Sequence, residues 1–431
     1  TMEVSVPDIL RALSGYNTSA NFNQAMQLAQ EKQKSSQTDF VTLFVQSYKE
    51  IDPNAQLASV FSTFELKDKV TLSSTNDEVE KVIREEVEGA INNSFNVLRT
   101  RIDRFGVVQP NIQKLDQVGR ILIELPSWLG DSVMASAAVE NLCANLPYAK
   151  IVFFGSFASV NLYENHPNCE KILINDSKKS KFRLSRLANL ARNFGKFDIA
   201  LSFRSHFSSK FFLKFVKAER KFIFKNNGEK IHQVQKYLNF VNSALNLQNL
   251  RQDQKLYFEK KSLINSQKKL LGLNPGATYG SAKRWYPAYF AEVAIALKAK
   301  FDIVIFGGKG EKEICDEIEQ ILSQDGIVCT NLCGKTTIKE LCQNLANLDL
   351  FITNDSGPMH IAAAFKIPSV AVFGPTRFDE TSPYGNENAK IVHLNLPCMP
   401  CMKRICPLKT HECMKNLTPK MVLESLQNLV D

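Results

Sequence analysis

The run Asn354-Asp355-Ser356-Gly357-Pro358-Met359-His360 lies between two apolar stretches. Leu348 to Thr353 reads as a buried strand, and Ile361 to Phe365 as the first turns of a helix packed on a sheet. A strand that passes at once into Asp-Ser-Gly and a helix leaves unpaired backbone N–H groups at the carboxyl edge of that sheet. Those amides and the positive end of the helix dipole favour an anion, typically phosphate. Asp and Ser are also ordinary N-cap residues, so the run alone leaves both readings open. The next apolar strand, Ser369 to Phe373, is closed by Gly374-Pro375-Thr376, which places the run at the ligand edge of a doubly wound sheet.

Two more loops share this design. Leu273-Asn274-Pro275-Gly276-Ala277-Thr278-Tyr279-Gly280-Ser281-Ala282-Lys283-Arg284-Trp285 runs from a strand into a glycine-rich, hydroxyl-bearing loop, two cations and a helix from about Pro287. Such a loop lets backbone approach phosphate oxygens while Lys283 offers a mobile point charge. The GKS/T ending of a P-loop is missing. Leu125-Pro126-Ser127-Trp128-Leu129-Gly130-Asp131 follows the strand Arg120 to Glu124 and precedes an apolar helix from Val133. Asp131 there is either a cleft-facing carboxylate or a helix cap. Gly307-Gly308-Lys309-Gly310 also follows a strand, but without the full G-x-G-x-x-G it gives no dinucleotide site.

The elements that must hold these loops follow from periodicity. From Arg120 onward apolar strands alternate with helices. Strands are expected at Ile151 to Phe154, Lys171 to Ile174 and Phe197 to Phe203, with helices at Phe182 to Arg192 and His232 to Leu245. A second alternating set begins near Leu270, with strands at Ile303 to Phe306, Leu350 to Thr353, Val370 to Phe373 and Ile391 to Leu394. Two such sets imply two parallel-sheet α/β domains joined by the polar stretch Gln248 to Gln254. Before them, Asn21 to Glu31, Asp39 to Ile51 and Glu78 to Phe105 read as helices, the last with Val79, Val82, Ile83, Val87, Ile91, Phe95 and Leu98 at helical spacing.

The three loops together resemble glycosyltransferase family 9, the ADP-heptose:lipopolysaccharide heptosyltransferases, and most closely its heptosyltransferase II members. The resemblance covers about residues 119 to 431. It implies a GT-B arrangement of two Rossmann-like domains, 119–254 for the acceptor and 255–431 for ADP-heptose. It also implies an inverting transfer of heptose to the heptosyl-Kdo-lipid A inner core. Asp131 is then the base, Thr278 and Lys283 meet the donor phosphates, and Ser356 and Gly357 contribute at the helix end. Asp355 holds heptose hydroxyls, Glu311 the ribose, and His360 sits at the donor site or braces its loop. Glu311 reads equally as a dipole-favoured helix start. No DxD-type metal motif is present, so no cofactor is expected; lysine and helix dipole replace a divalent ion. Another family 9 enzyme with a different donor or acceptor is the alternative.

Residues 1 to about 126 fit a different family. Asn96-Val97-Leu98-Arg99-Thr100-Arg101-Ile102-Asp103-Arg104-Phe105-Gly106-Val107, then Gln109 to Ile112 and Arg120 to Pro126, resemble a periplasmic fragment of the protein-export membrane protein SecD. Residues 1–118 are therefore read as a smaller α+β fragment ahead of the transferase, and the chain as a chimera. Composition agrees. Residues 1–118 hold 12 Lys+Arg against 16 Asp+Glu (net −4), and the rest 41 against 28 (net +13). All ten cysteines follow residue 142. An export-accessory role would rest on residues 1–118, which lack the membrane helices export needs.

Thr1 to Leu10 has acidic residues and no apolar run, so no signal peptide is expected there. A cytoplasmic location at the inner face of the inner membrane follows from the resemblance. Cys398, Cys401, Cys406 and Cys413, with His411 nearby, could close a tetrahedral structural metal site, although the later spacings match no standard zinc module. From Lys178 to Lys225 lysines and arginines alternate with phenylalanines. Part of this run is a solvated face over core rings. Its functional reading is peripheral contact with a lipid-linked core acceptor at the membrane surface. No nucleic-acid module accompanies the charge, so no nucleic-acid partner is expected.

Overall fold

The computed structural model describes residues 5–33, 38–104, 118–260, 264, 266–427 and 429, with the side chains of 95–104 left aside. The SecD-like stretch 105–112 and the side chains of Phe95 and Leu98 lie outside the described residues. The chain divides into two compact units, Thr1–Asp116 and Gln117–Asp431. No helix among the described residues is long and apolar enough to cross a membrane.

The described elements of the first unit are all helical: Val6–Leu13, Ala20–Gln33, Phe40–Ile51, Ala58–Phe61 and Asn76–Arg104. Phe22, Phe44 and Phe61 meet edge to face in its core. Asp39 caps Phe40–Ile51 by accepting the Thr42 N–H, and Arg84 joins Asp39 to Glu80. The mixed α+β character expected of residues 1–118 is not seen here. Among the described residues of 1–118 there is no strand; the first one, Arg120–Glu124, belongs to the second unit.

The second unit holds two parallel sheets. The first contains β1 (Arg120–Glu124), β2 (Lys150–Gly155), β3 (Cys169–Ile174), β4 (Lys196–Ser202) and β5 (Lys217–Ile223), in the order β3-β2-β1-β4-β5. The second contains β6 (Lys269–Asn274), β7 (Phe301–Ile305), β8 (Cys329–Asn331), β9 (Leu350–Asn354), β10 (Ser369–Phe373) and β11 (Ala389–His393), in the order β11-β10-β9-β6-β7-β8. β9 and β10 are buried along their whole length, as expected of strands covered on both faces. β5 and β8 were not anticipated. The sequence of β5, Lys-Ala-Glu-Arg-Lys-Phe-Ile, is charged because it forms an exposed edge.

In each sheet the winding direction reverses once, between β1 and β4 and between β6 and β9. Ligands bind at such switch points, outside the carboxyl ends of the strands. The three motif loops leave the carboxyl ends of β1, β6 and β9. The fold thus brings together residues up to 230 positions apart.

Cross-links within the unit hold its halves. Lys236, nearly buried, pairs with Glu380 at 2.7 Å, and His232 Nε2 donates to the Ser382 carbonyl at 3.0 Å. Asn141 accepts the N–H groups of Leu250 and Arg251, each at 2.8 Å, which pins the connecting segment.

Candidate active site

The loop after β6 is held by two buried asparagines at neighbouring strand ends. Asn354 donates through Nδ2 to the Pro275 carbonyl at 2.7 Å and accepts the Trp285 N–H at 3.1 Å, so one side chain grips both ends of the loop. Asn274 donates to Ser356 Oγ at 2.9 Å and to Thr353 Oγ1 at 3.2 Å. Trp285 is buried and its indole N–H reaches the Leu417 carbonyl at 2.7 Å, which anchors the end of the loop in the core.

This loop delivers Lys283 to Asp355. The ammonium lies 2.5 Å from Asp355 Oδ2 and 4.7 Å from the ring centre of Tyr279. The Thr376 hydroxyl donates to the same Asp355 oxygen at 2.6 Å. Asp355 is only 4% exposed, so its charge requires these partners. Its neighbour Ser356 begins the Gly357–Ala364 helix without capping it, because its hydroxyl is engaged by Asn274. Thr278 occupies an exposed turn of the same loop.

Asp131 reaches the same place from the other sheet. It lies in the first turn of the Leu129–Met134 helix, and among the described residues its carboxylate accepts no hydrogen bond and forms no ion pair. The capping role open in the sequence is therefore not realised. Burial raises its pKa from 3.8 to about 6; the charge of Asp355 adds to the rise and Lys283 opposes it. A carboxyl poised near neutrality suits general-base work.

The two sheets can approach only because glycine occupies position 130. A Cβ there would lie 2.6 Å from His360 Cδ2. His360 is almost fully buried, its Nδ1 has no hydrogen-bond partner, and burial lowers its pKa to about 4. It is a neutral imidazole between the Leu129–Met134 and Gly357–Ala364 helices.

Glu311 borders the loop from the β7 side. One carboxylate oxygen accepts the Gly308 N–H at 2.7 Å, so its helix-start role is present. Its carboxyl also fills the space where a Cβ on Gly276 would go, which sets it against the Pro275–Gly276 turn.

The cysteine-rich segment packs against the Lys283 loop. Cys398, Cys401, Cys406 and Cys413 are free thiols bordering one small cavity with His411 and Ala282. Burial and the other three thiols push Cys413 up to about 11. Among the described residues no group of three or more His, Cys, Asp or Glu side chains is arranged to hold a metal ion. The segment braces the Lys283 loop. Ala282 N–H donates to the Arg404 carbonyl at 3.0 Å, the Tyr279 hydroxyl to the Met402 carbonyl at 2.9 Å, and His411 Nε2 to the Ala282 carbonyl at 3.0 Å. This contact carries Arg404 to 5.3 Å from the centre of the Tyr279 ring that Lys283 also approaches. Arg404 is a second cation at the site, and sequence reasoning missed it. No local signal marks it, because its neighbours on the loop lie about 120 residues upstream.

A second missed cluster lies at the end of β1. Glu124 is buried and accepts from the Ser202 and Ser209 hydroxyls at 2.6 and 3.0 Å and from Arg204 at 3.1 Å. Burial nevertheless raises its pKa. A charge inside an otherwise apolar strand was the available signal.

The Asp131 carboxyl thus stands among Lys283, Asp355 and the start of the Gly357–Ala364 helix. The family model for glycosyltransferase family 9 (heptosyltransferase) matches residues 189–412. Lipooligosaccharide heptosyltransferase 2 of Campylobacter jejuni subsp. jejuni serotype O:2 is 49% identical over 317 residues, covering 72% of this chain and 98% of the relative. The solved structure of E. coli ADP-heptose LPS heptosyltransferase II superposes with a TM-score of 0.59 at 24% identity, covering 72% and 98% of the two chains. That likeness speaks for the GT-B fold. A separate 126-residue stretch is 33% identical to protein translocase subunit SecD of Rhodothermus marinus, covering 29% of this chain but 20% of that protein. The chain therefore carries a short SecD-like segment, and by its family match and its 49% identical relative it belongs to glycosyltransferase family 9, the heptosyltransferases.

Proposed function

We propose that this chain transfers L-glycero-D-manno-heptose, with inversion, from ADP-heptose to a heptosyl-Kdo-lipid A inner core. The observation that carries this reading is the meeting of an unpaired Asp131 with the Lys283–Asp355 pair at the switch points of two facing sheets. The names of the relatives supply the donor and acceptor class. Asp131 takes the proton from the acceptor hydroxyl as it attacks the anomeric carbon. The bond from that carbon to the diphosphate breaks, and negative charge grows on the leaving ADP. Lys283, Arg404 and the N–H groups of Ser356 and Gly357 offset that charge. Thr278 is assigned to the phosphates and Glu311 to the ribose hydroxyls. Asp355 orients Lys283 and meets the heptose. Neutral His360 holds Gly130, and with it Asp131, against the donor half.

We assign residues 119–254 to the acceptor and 255–431 to the donor, with residues 1–118 outside the reaction. The enzyme works on the cytoplasmic side of the inner membrane, in peripheral contact with it, without a nucleic-acid partner and without a metal cofactor. Titration calorimetry tests the donor half: ADP binds more tightly than UDP or GDP, and ADP release with acceptor present is unchanged by EDTA. Equal binding of all three nucleotides, or activity lost to EDTA and restored by magnesium, would count against it.

A further inference from the structure

A buried lysine beside the first sheet finds its counter-charge beside the second. Lys236 sits on the Gln233–Leu245 helix, whose Val234, Tyr237, Leu238 and Val241 share a core with β1 and with the Leu129–Met134 helix. Its side chain is only 4% exposed, and its ammonium lies 2.7 Å from Glu380 Oε2 on the short helix Phe378–Thr381. That short helix is fixed to the second sheet. The Phe378 ring stacks on His393 of β11 with centres 4.3 Å apart, and meets Phe373 of β10 edge to face. Next to the pair, His232 accepts the Val234 N–H on Nδ1 at 3.2 Å, which leaves Nε2 to donate to the Ser382 carbonyl.

An ammonium taken out of water needs a counter-charge, and Lys236 has this one only while the two sheets stand together. Apart, both charges would be hydrated, so the pair adds little net stability. The best-attested use of such a pair is to select one arrangement over its alternatives. Two features of the candidate site depend on that arrangement. Thr376, four residues before Glu380, donates to the Asp355 oxygen that Lys283 approaches. Tyr237, the residue after Lys236, is buried near Asp131: burial raises its phenol pKa, and the Asp131 charge adds to the rise. The pair is therefore one residue from a neighbour of the base and four from a partner of Asp355.

We propose that Lys236 and Glu380 are positioning residues, whose pairing selects the arrangement in which Asp131 faces Lys283 and Asp355. Arg377 Nε, 3.5 Å from Glu380 Oε1, steadies the carboxylate from its other side. Breaking the pair leaves every group of the site in place on its own sheet and loosens only the register between the sheets. The effect on turnover rests on the transferase reading above; the selection of the arrangement does not.

E380A and K236M/E380A in the full chain test this. The first leaves a buried ammonium without its partner, and the second replaces it with an apolar chain of similar length. Turnover should fall about ten- to hundredfold in E380A and recover at least about threefold in the double variant, because an unpaired buried charge costs more than a missing pair. ADP affinity should stay at the wild-type value in both, since the proposed ADP site lies within residues 255–431. Hydrogen exchange reads the arrangement without substrate. The first-turn amides of the Leu129–Met134 and Gly357–Ala364 helices have no helical partner, and the packing at Gly130 and His360 shields them. Peptides spanning 125–134 and 354–361 should exchange faster in E380A than in wild type, and more slowly again in the double variant. The idea is overturned if E380A keeps turnover within about twofold and exchanges like wild type. It is also overturned if ADP affinity falls as far as turnover, or if the double variant is no better than E380A. Should E380A not fold, K236M decides: lower turnover with faster exchange is expected, and wild-type values in both overturn the idea. Wild type that binds ADP yet transfers nothing would overturn the transferase reading, and the exchange of the variants would then decide the positioning.

Discussion

Asp131→Asn separates the base from its surroundings, because the amide keeps the shape and cannot take a proton at neutral pH. The carboxyl is lifted from 3.8 to about 6 by burial first, with Asp355 adding and Lys283 opposing. A lift of about two units corresponds to at most about 3 kcal/mol. Water reaching the cleft reduces it, so about 1–3 kcal/mol is expected. The sign follows from the direction. A folded pKa above the unfolded one means that ionisation opposes folding. The penalty is absent below about pH 4, grows between about pH 4 and 6, and is complete above. Asparagine does not carry it. The variant should therefore melt a few degrees above wild type at pH 7.5, read on the transition that ADP shifts, and lose that advantage at pH 4. Its turnover should fall by about a hundred- to ten-thousandfold with ADP binding retained. In wild type, kcat/KM should rise with pH through an apparent pKa near 6. Near wild-type turnover at saturating acceptor, together with equal melting at both pH values, would refute the assignment.

Lys283→Ala should weaken ADP binding by roughly ten- to more than hundredfold, the loss of one charge-assisted contact. It should also shift the acid limb of kcat/KM upward, since Lys283 holds the Asp131 pKa down; a pH profile unchanged from wild type would refute that coupling. Arg404→Ala should weaken ADP more than adenosine, because the proposed function sets Lys283 and Arg404, both beside Tyr279, against the diphosphate; equal affinity losses in calorimetry would remove it from the site. Gly130→Ala forces a Cβ against His360 and should cost about 1–3 kcal/mol in denaturant unfolding together with most of the turnover. A protein starting near Gln117 should fold and keep comparable activity, since no proposed site residue lies in the first unit; a folded but inactive truncation would show that the SecD-like segment takes part.

Much of the candidate site was legible because its determinants are local. Glycine loops, Asp-Ser-Gly at a helix start and apolar five-residue strands carry their meaning within ten residues, and β2, β3, β4, β7, β9, β10 and β11 lie where periodicity placed them. What escaped depends on long-range closure. β5 was hidden because an edge strand may be charged, and β8 because it has three residues. The cysteine-rich segment also braces the Lys283 loop, through the Arg404 and Met402 carbonyls and the His411 imidazole. Each of these contacts has a backbone carbonyl on one side and joins residues more than 120 positions apart, so neither that brace nor Arg404 could be read in advance. Asn354, part of the run read as anion-binding, clamps both ends of the loop after β6.

Mass spectrometry of the product after incubation with ADP-heptose and a panel of lipid-linked inner cores tests the central claim most directly. One heptosyl residue should be added to the monoheptosyl-Kdo core, with release of one ADP. The same mixture with Asp131→Asn should yield almost none. A folded, ADP-binding enzyme that adds no heptosyl residue to any of these cores, or adds a hexose from its nucleotide instead, would contradict the account.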